Sequence, residues 1–275
     1  MKKLFFIPVL LWSTGFFMSA QAQNIKAKDL EKQFAKVNDT LYASKFETTN
    51  GEYRTFLQHL QSAGKPDSYQ QFEVDSLQWN KTASYGEPLV KQYHRHPAFA
   101  KYPVVNISHE AAEAYCQWLT DQYHANPKRK FHKVQFVLPT EAEWMMAAQG
   151  GRSQAMFPWG NFYLRNNKGQ FMCNFKHVSD GNIYVDSLGR PQVAVVPMGK
   201  NDKAIYTATV KSFSPNDFGM YNFCGNASEM VAEKNFTKGG SWNSYGAYVH
   251  IRAKEDYKGP SPQVGFRVFM KVIEP

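Results

Sequence analysis

Cysteine is scarce in this chain. Three thiols in 275 residues, Cys116, Cys173 and Cys224, cannot form a disulfide framework, and an odd number leaves at least one unpaired. A Cys173–Cys224 pair is open, whereas Cys116 lies on an expected apolar helix face and reads as a core thiol. No thiol follows the first apolar run closely, so lipid attachment at a processed N-terminus has no acceptor and the mature chain is expected not to be lipid-anchored. Long apolar runs are missing as well. The longest, Leu4 to Met18, has about 15 residues against the ~20 needed to span a bilayer, so no transmembrane helix is expected. It follows Lys2-Lys3 and precedes Ala20-Gln21-Ala22, a small-x-small site, so residues 1–22 read as a secretory signal peptide and the mature chain as periplasmic or secreted. Clustered positive charge is also absent. Lys128-Arg129-Lys130 is the only basic triplet, and loss of Lys2 and Lys3 lowers the formal charge from +9 to +7, which argues against nucleic acid as a partner. No repeat or linker rich in Pro, Gly or Ser divides the remainder, and one domain is the simplest reading.

Three helices announce themselves by their caps. Thr49-Asn50-Gly51-Glu52 has capping-box spacing, and Tyr53, Phe56, Leu57 and Leu60 recur on one face until Gly64. Ser108 opens a second helix striped by Ala111, Ala112, Tyr115, Cys116 and Leu119. Thr140-Glu141-Ala142-Glu143 is another capping box, closed by Gly150-Gly151. Strands are expected at 102–107, 133–138, 207–213, 239–242 and 265–271, with long loops between them. Few helices and a loop-rich remainder give an α+β class, and loops this long need a metal ion or a dense hydrogen-bond network to stay ordered.

Chemistry-bearing motifs are sparse. Lys238-Gly239-Gly240-Ser241-Trp242 places paired glycines where backbones must approach closely. Ser244 with His250 or His109 would suggest a hydrolase, yet no Gly-x-Ser-x-Gly elbow is present and nothing sets a base beside that serine. His94-Arg95-His96 offers two imidazoles without a spaced third ligand, and Pro97 favours an exposed extended loop there.

Seven ordered blocks carry a resemblance. KFETTNGEYRTFL, YPVVNISHEAAEAYCQWL, LPTEAEWMMAA, FPWGN, SPNDFGMYNFCGNASEM, KGGSWNS and GFRV resemble the formylglycine-generating enzyme (sulfatase-modifying factor) superfamily over about 41–270. The resemblance implies a C-type lectin-like fold: a small twisted sheet, a few helices and extensive loops. It places the domain at 41–275 after an N-terminal extension, 23–40, with the family's glycine-rich opening hairpin missing before Leu41. Catalytic relatives hold copper on two cysteines just after the Gly-Gly-Ser element and oxidise a substrate cysteine to formylglycine. Here those positions are Ser244 and Val249, and a hydroxyl and an isopropyl group cannot replace the soft thiolates that hold Cu(I). Met230 stands where those relatives have a tryptophan of the oxygen pocket, while Ser241 is kept but also suits a self-bonded turn. The resemblance thus implies a degenerate site, no copper and no formylglycine chemistry, with an oxidase or hydroxylase using another metal as the alternative.

Calcium is a further implication of the resemblance. One site would use the Glu229 carboxylate with the carbonyls of Cys224, Gly225 and Ala227; a second would use Asn174, the carbonyl of Phe175, Asp202 and the carbonyl of Ala204. The competing reading pairs Glu229 with Arg252 or Arg267 in a buried ion pair. Trp242, Tyr245 and Tyr248 fall where the groove of catalytic relatives lies, and are read either as a polypeptide-binding groove or as strand packing. GEPLVKQYHRHPAFAKYPVVNIS, YLRNNKGQFMCNFK and TVKSFSPNDFGMYN resemble the formylglycine-enzyme-like proteins of gliding motility and type IX secretion, which implies protein partners in the bacterial envelope and an oligomer. A glycan-binding role is suggested only by fold analogy.

Overall fold

The computed structural model describes residues 25–82, 86–176, 183–193 and 204–275. The expected signal peptide and Asp202 lie outside the described residues. Two four-stranded sheets form the frame. The first runs β1 (Phe34–Lys36), β2 (Leu41–Ser44), β10 (Phe269–Glu274), β3 (Lys133–Val137), all antiparallel. The second runs β8 (Lys254–Asp256), β7 (Phe236–Lys238), β6 (Ser228–Met230), β9 (Val264–Phe266), in which only the β6–β9 pairing is parallel. A separate hairpin joins β4 (Ile183–Val185) to β5 (Pro191–Val193).

The helices read from caps form as expected. Thr49 and Glu52 close a reciprocal capping box on α2 (Asn50–Ser62), Ser108 accepts from the Ala111 amide to open α6 (His109–His124), and Thr140 with Glu143 caps α7 (Glu141–Gln149), which ends on left-handed Gly150. Shorter helices α1 (Ala27–Glu31), α3 (Pro66–Phe72), α4 (Trp79–Thr82) and α5 (Glu87–Gln92) carry no such signature. The stripes of α2 and α6 bury Tyr53, Phe56, Tyr115 and Trp118 against Val134 and Phe136 of β3. Alternation in β3 explains the match, since every second side chain faces the helices. Its outer edge is closed too: the Val134 and Phe136 amides donate to His124 Nε2 and Thr120 Oγ1 of α6, at 3.2 and 3.0 Å.

Other expectations change. Ala27, Leu30 and Phe34 are buried in the same apolar cluster as α2 and α6, so the segment from Ala27 onward is part of the core rather than an extension before it. β1 and β2 form a hairpin that turns without glycine because Asn38 Oδ1 accepts from the Thr40 and Leu41 amides at 3.0 and 2.9 Å. Residues 102–107 form a loop with one bridge, Pro103 to Thr49, residues 207–213 contain a turn closed by the Ser212 amide on the Thr209 carbonyl, residues 239–242 are a turn after β7 rather than a strand, and the run 265–271 is divided between two sheets at Arg267. No helix among the described residues is long and apolar enough to cross a membrane.

Candidate functional site

After β7 the chain makes a Gly239-Gly240 turn with φ of +84° and +65°. A β-carbon on Gly239 would lie 2.5 Å from the Phe223 carbonyl oxygen, and one on Gly240 2.6 Å from that of Tyr248, so glycine is required twice over. This turn delivers Ser241 and Ser244 into a buried hydroxyl cluster. Ser244 Oγ accepts from the Ser241 amide at 2.9 Å, lies 3.0 Å from Ser241 Oγ, and donates to Glu255 Oε2 of β8 at 2.7 Å. Ser228 of β6 donates to the same carboxylate oxygen at 3.1 Å. Ser241 Oγ also accepts from the Asn243 amide, the self-bonded turn anticipated for it.

Val249 is fully buried among Cys173, Cys224, Ile251 and Phe269, and Met230 is buried in the helix-packed cluster. Neither Ser244 nor Val249 carries a group that binds a soft metal. The two histidines weighed as bases have other roles: His109 Nε2 bonds the Val231 carbonyl at 2.7 Å, and His250 Nδ1 accepts from the Arg252 amide at 3.2 Å. Ser244 therefore bonds the Glu255 carboxylate, and neither of those two imidazoles is its partner.

Glu229 answers the ion-pair question. Arg267 reaches its Oε1 from Nη2 at 2.7 Å and from Nε at 3.1 Å, while Trp144 Nε1 donates to Oε2 at 2.7 Å. Arg267 also donates to the carbonyls of Ser44 and Tyr221, tying β2 of one sheet to β6 of the other. In the structure this carboxylate is committed to the Arg267 guanidinium and to Trp144, which is the buried ion pair weighed against a calcium site at Glu229, Cys224, Gly225 and Ala227. Gly225 is explained without a metal, since a β-carbon there would lie 2.1 Å from the Asn174 carbonyl oxygen. Asn174 Nδ2 donates to the Tyr206 carbonyl at 2.7 Å and to Asn226 Oδ1 at 3.3 Å. Phe175 is buried, Ala204 is half-buried, and the second ligand set depends on Asp202, outside the described residues.

Sequence reasoning gave no role to Glu47. It is buried, and its two oxygens accept from Asn226 Nδ2 at 2.7 Å and Asn222 Nδ2 at 2.9 Å. Burial pushes its carboxyl up to about 8, against the pull of Arg267 and aided by Glu229. The signal available was faint: an acidic residue just ahead of a capping box, in otherwise strand-like sequence.

The three aromatics expected to share a groove are separated. Trp242 is buried, stacked 6.4 Å from Trp79 and edge-on to Tyr206 at 5.0 Å, with Nε1 donating to the Pro262 carbonyl, so it is core and not groove. Tyr248, about half exposed, lines a polar groove of about 660 Å³ with Ser228, Glu255, Pro260 and Gln263. Tyr245, equally exposed, lines a different pocket beside Lys176. His94 is not in an exposed loop either: it is buried, its Nδ1 bonded to Asn50 Oδ1 at 3.0 Å, and desolvation lowers its pKa to about 3. His96, by contrast, caps the turn after it by accepting from the Ala98 amide.

The Sulfatase-modifying factor enzyme 1-like domain family matches residues 10–272. The chain belongs to this family. It is similar to the formylglycine-generating enzyme of Bos taurus, 28% identical over 246 residues that cover 82% of this chain and 54% of that protein. It is 35% identical to the formylglycine-generating enzyme of Thermomonospora curvata over 132 residues, 48% of this chain and 33% of that protein. The inactive C-alpha-formylglycine-generating enzyme 2 of Bos taurus is 27% identical over 214 residues, 70% of this chain and 56% of that protein. The chain thus spans about half the length of these mammalian relatives. Among solved structures it is similar to Treponema denticola variable protein 1, with a TM-score of 0.52, 15% identity, and 87% and 91% of the two chains covered. PvdO from Pseudomonas aeruginosa gives a TM-score of 0.51 at 16% identity, covering 84% of this chain and 80% of its own. The α+β architecture of small sheets, few helices and long loops is the formylglycine-generating-enzyme-like, C-type lectin-like fold.

Proposed function

We propose that this chain is a non-catalytic formylglycine-generating-enzyme-like domain that is exported and holds a polypeptide partner in the groove beside Tyr248. The observation that carries the reading is the fate of the two copper positions: Ser244 is bonded to Ser241 and Glu255, and Val249 is sealed in the core. The groove keeps its shape without a metal because hydrogen bonds now support its wall. Glu255 Oε1 accepts no bond from the described residues, which leaves an acceptor for a peptide N–H or a cationic side chain. The similarity to the inactive C-alpha-formylglycine-generating enzyme 2 of Bos taurus supports the reading. Work within the bacterial envelope, in a secretion or motility assembly and as an oligomer, belongs to the same proposal, as does calcium at the Asn174 set.

The test joins two measurements on the mature chain. Incubation with copper or iron and a cysteine-bearing peptide is expected to yield no aldehyde; turnover would establish the oxidase or hydroxylase alternative. Crosslinking in envelope fractions is expected to capture a protein partner that is lost on Tyr248→Ala, and capture unchanged by that substitution would remove the groove from the account.

A further inference from the structure

Tyr245 belongs to a pocket that the Tyr248 groove does not include. The isolated parallel bridge between Lys176 and Tyr245, with the Lys176 amide donating to the Ser244 carbonyl at 3.0 Å, lays two extended segments side by side. Beside them is a pocket of about 450 Å³ whose walls include Tyr163 and Tyr245, 73% and 50% exposed, over Phe171 and Phe175. Two cations sit against its rings. The Arg165 guanidinium lies 3.6 Å from the Phe171 centroid, and the Lys176 ammonium 5.0 Å from that of Tyr245.

Neither cation meets a carboxylate among the described residues. Arg165 directs Nη1 to the Gly169 carbonyl at 2.6 Å, and its remaining N–H groups are uncommitted. Large exposed aromatics in a concave site mark recognition surfaces, and unpaired donors at their edge select an anion. We infer that this pocket is a second recognition site, taking a polypeptide segment in which an acidic residue neighbours an aromatic or large aliphatic one. The apolar side chain enters between Tyr163 and Tyr245 while the carboxylate bridges Arg165 and Lys176. A concavity lined by Tyr163, Phe171, Phe175 and Tyr245, with two cations at its rings, suits an acidic and apolar pair of side chains better than a lipid surface, which would meet a flat face.

The experiment is selection of random linear peptides on the full mature chain, followed by fluorescence anisotropy of a selected peptide. Selected sequences are expected to pair Asp or Glu with Phe, Tyr, Trp or Leu. Their Kd is expected to weaken about tenfold in Tyr245→Ala and in Lys176→Met, as truncation of an anchoring aromatic or cation does. Added salt should weaken binding to the wild type and have less effect on Lys176→Met. Failure to select any peptide, selection of neutral or basic peptides, or a Kd indifferent to both substitutions overturns the inference. So does binding to vesicles of anionic lipid, lost in the same variants, without peptide binding. Tyr248→Ala should leave these affinities unchanged, so this site and the groove of the proposed function can fail separately.

Discussion

Glu229 and Arg267 meet in the interior with almost no solvent contact, Oε1 to Nη2 at 2.7 Å, where Arg267 also bonds the Ser44 carbonyl of the other sheet and the Tyr221 carbonyl of a loop. An isolated charge in that position has no water to fall back on, so each residue needs the other. Glu229→Gln should destabilise the fold by about 3–5 kcal/mol in urea titrations, because it strands the guanidinium. Glu229→Leu combined with Arg267→Met should recover much of the loss. A double variant no more stable than Glu229→Gln would mean that the clamp's hydrogen bonds to Ser44 and Tyr221 matter more than the ion pair.

The same commitment makes a prediction about calcium. With its carboxylate held by Arg267 and Trp144, Glu229 is already committed, so a calcium response would come through the proposed Asn174 set: EDTA should lower the thermal midpoint of the mature chain, and an unchanged midpoint would count against calcium at either set. A fall in midpoint that calcium restores would direct attention to Asn174 and Asp202. Substituting Asp202 by Ala would then abolish the calcium response.

Cys116, Cys173 and Cys224 are free and buried, and burial raises the pKa of each thiol. Thiolate is the reactive form, so a disulfide-exchange reagent such as Ellman's should find no thiol in the folded chain and three after unfolding in guanidinium. A single thiol on unfolding would show that two of the three had been joined, and peptide mapping would tell whether the pair is Cys173 with Cys224.

What was legible in the sequence was local. Capping boxes at Thr49 and Thr140 and the cap at Ser108 place three helices, because the signal and the structure lie within one turn of each other. The 265–271 run could not be resolved that way. Gly265 and Phe266 pair with β6, whereas Phe269 pairs with β2 and β3, and nothing within seven residues states which distant partner each half will find. The lack of a thiol at Ser244 and Val249 was legible because it is a matter of residue type. The Ser244–Glu255 bond, the burial of Trp242 and the polar core around Glu47 were not, since each depends on segments brought together across loops.

Glu47 supplies the last prediction, and its sign needs care. Its carboxyl is raised from 4.5 to about 8 in the folded chain, chiefly by desolvation, so the folded state holds a proton that the unfolded state has released. The stability associated with that proton is fully present below the unfolded value near 4.5 and is lost as pH rises toward 8. Buried His94, lowered to about 3 by desolvation, acts in the opposite direction, since its folded form resists a proton that the unfolded form accepts below about 6.5. A single stability curve therefore mixes the two, and the useful quantity is the difference between wild type and Glu47→Gln. That difference should shift against the wild type by a few kcal/mol, order of magnitude, between about pH 5 and pH 8, and then level off. A difference that stayed flat across the window would mean that Glu47 is ionised in the fold throughout, held so by the Asn amides and the nearby Arg267 guanidinium.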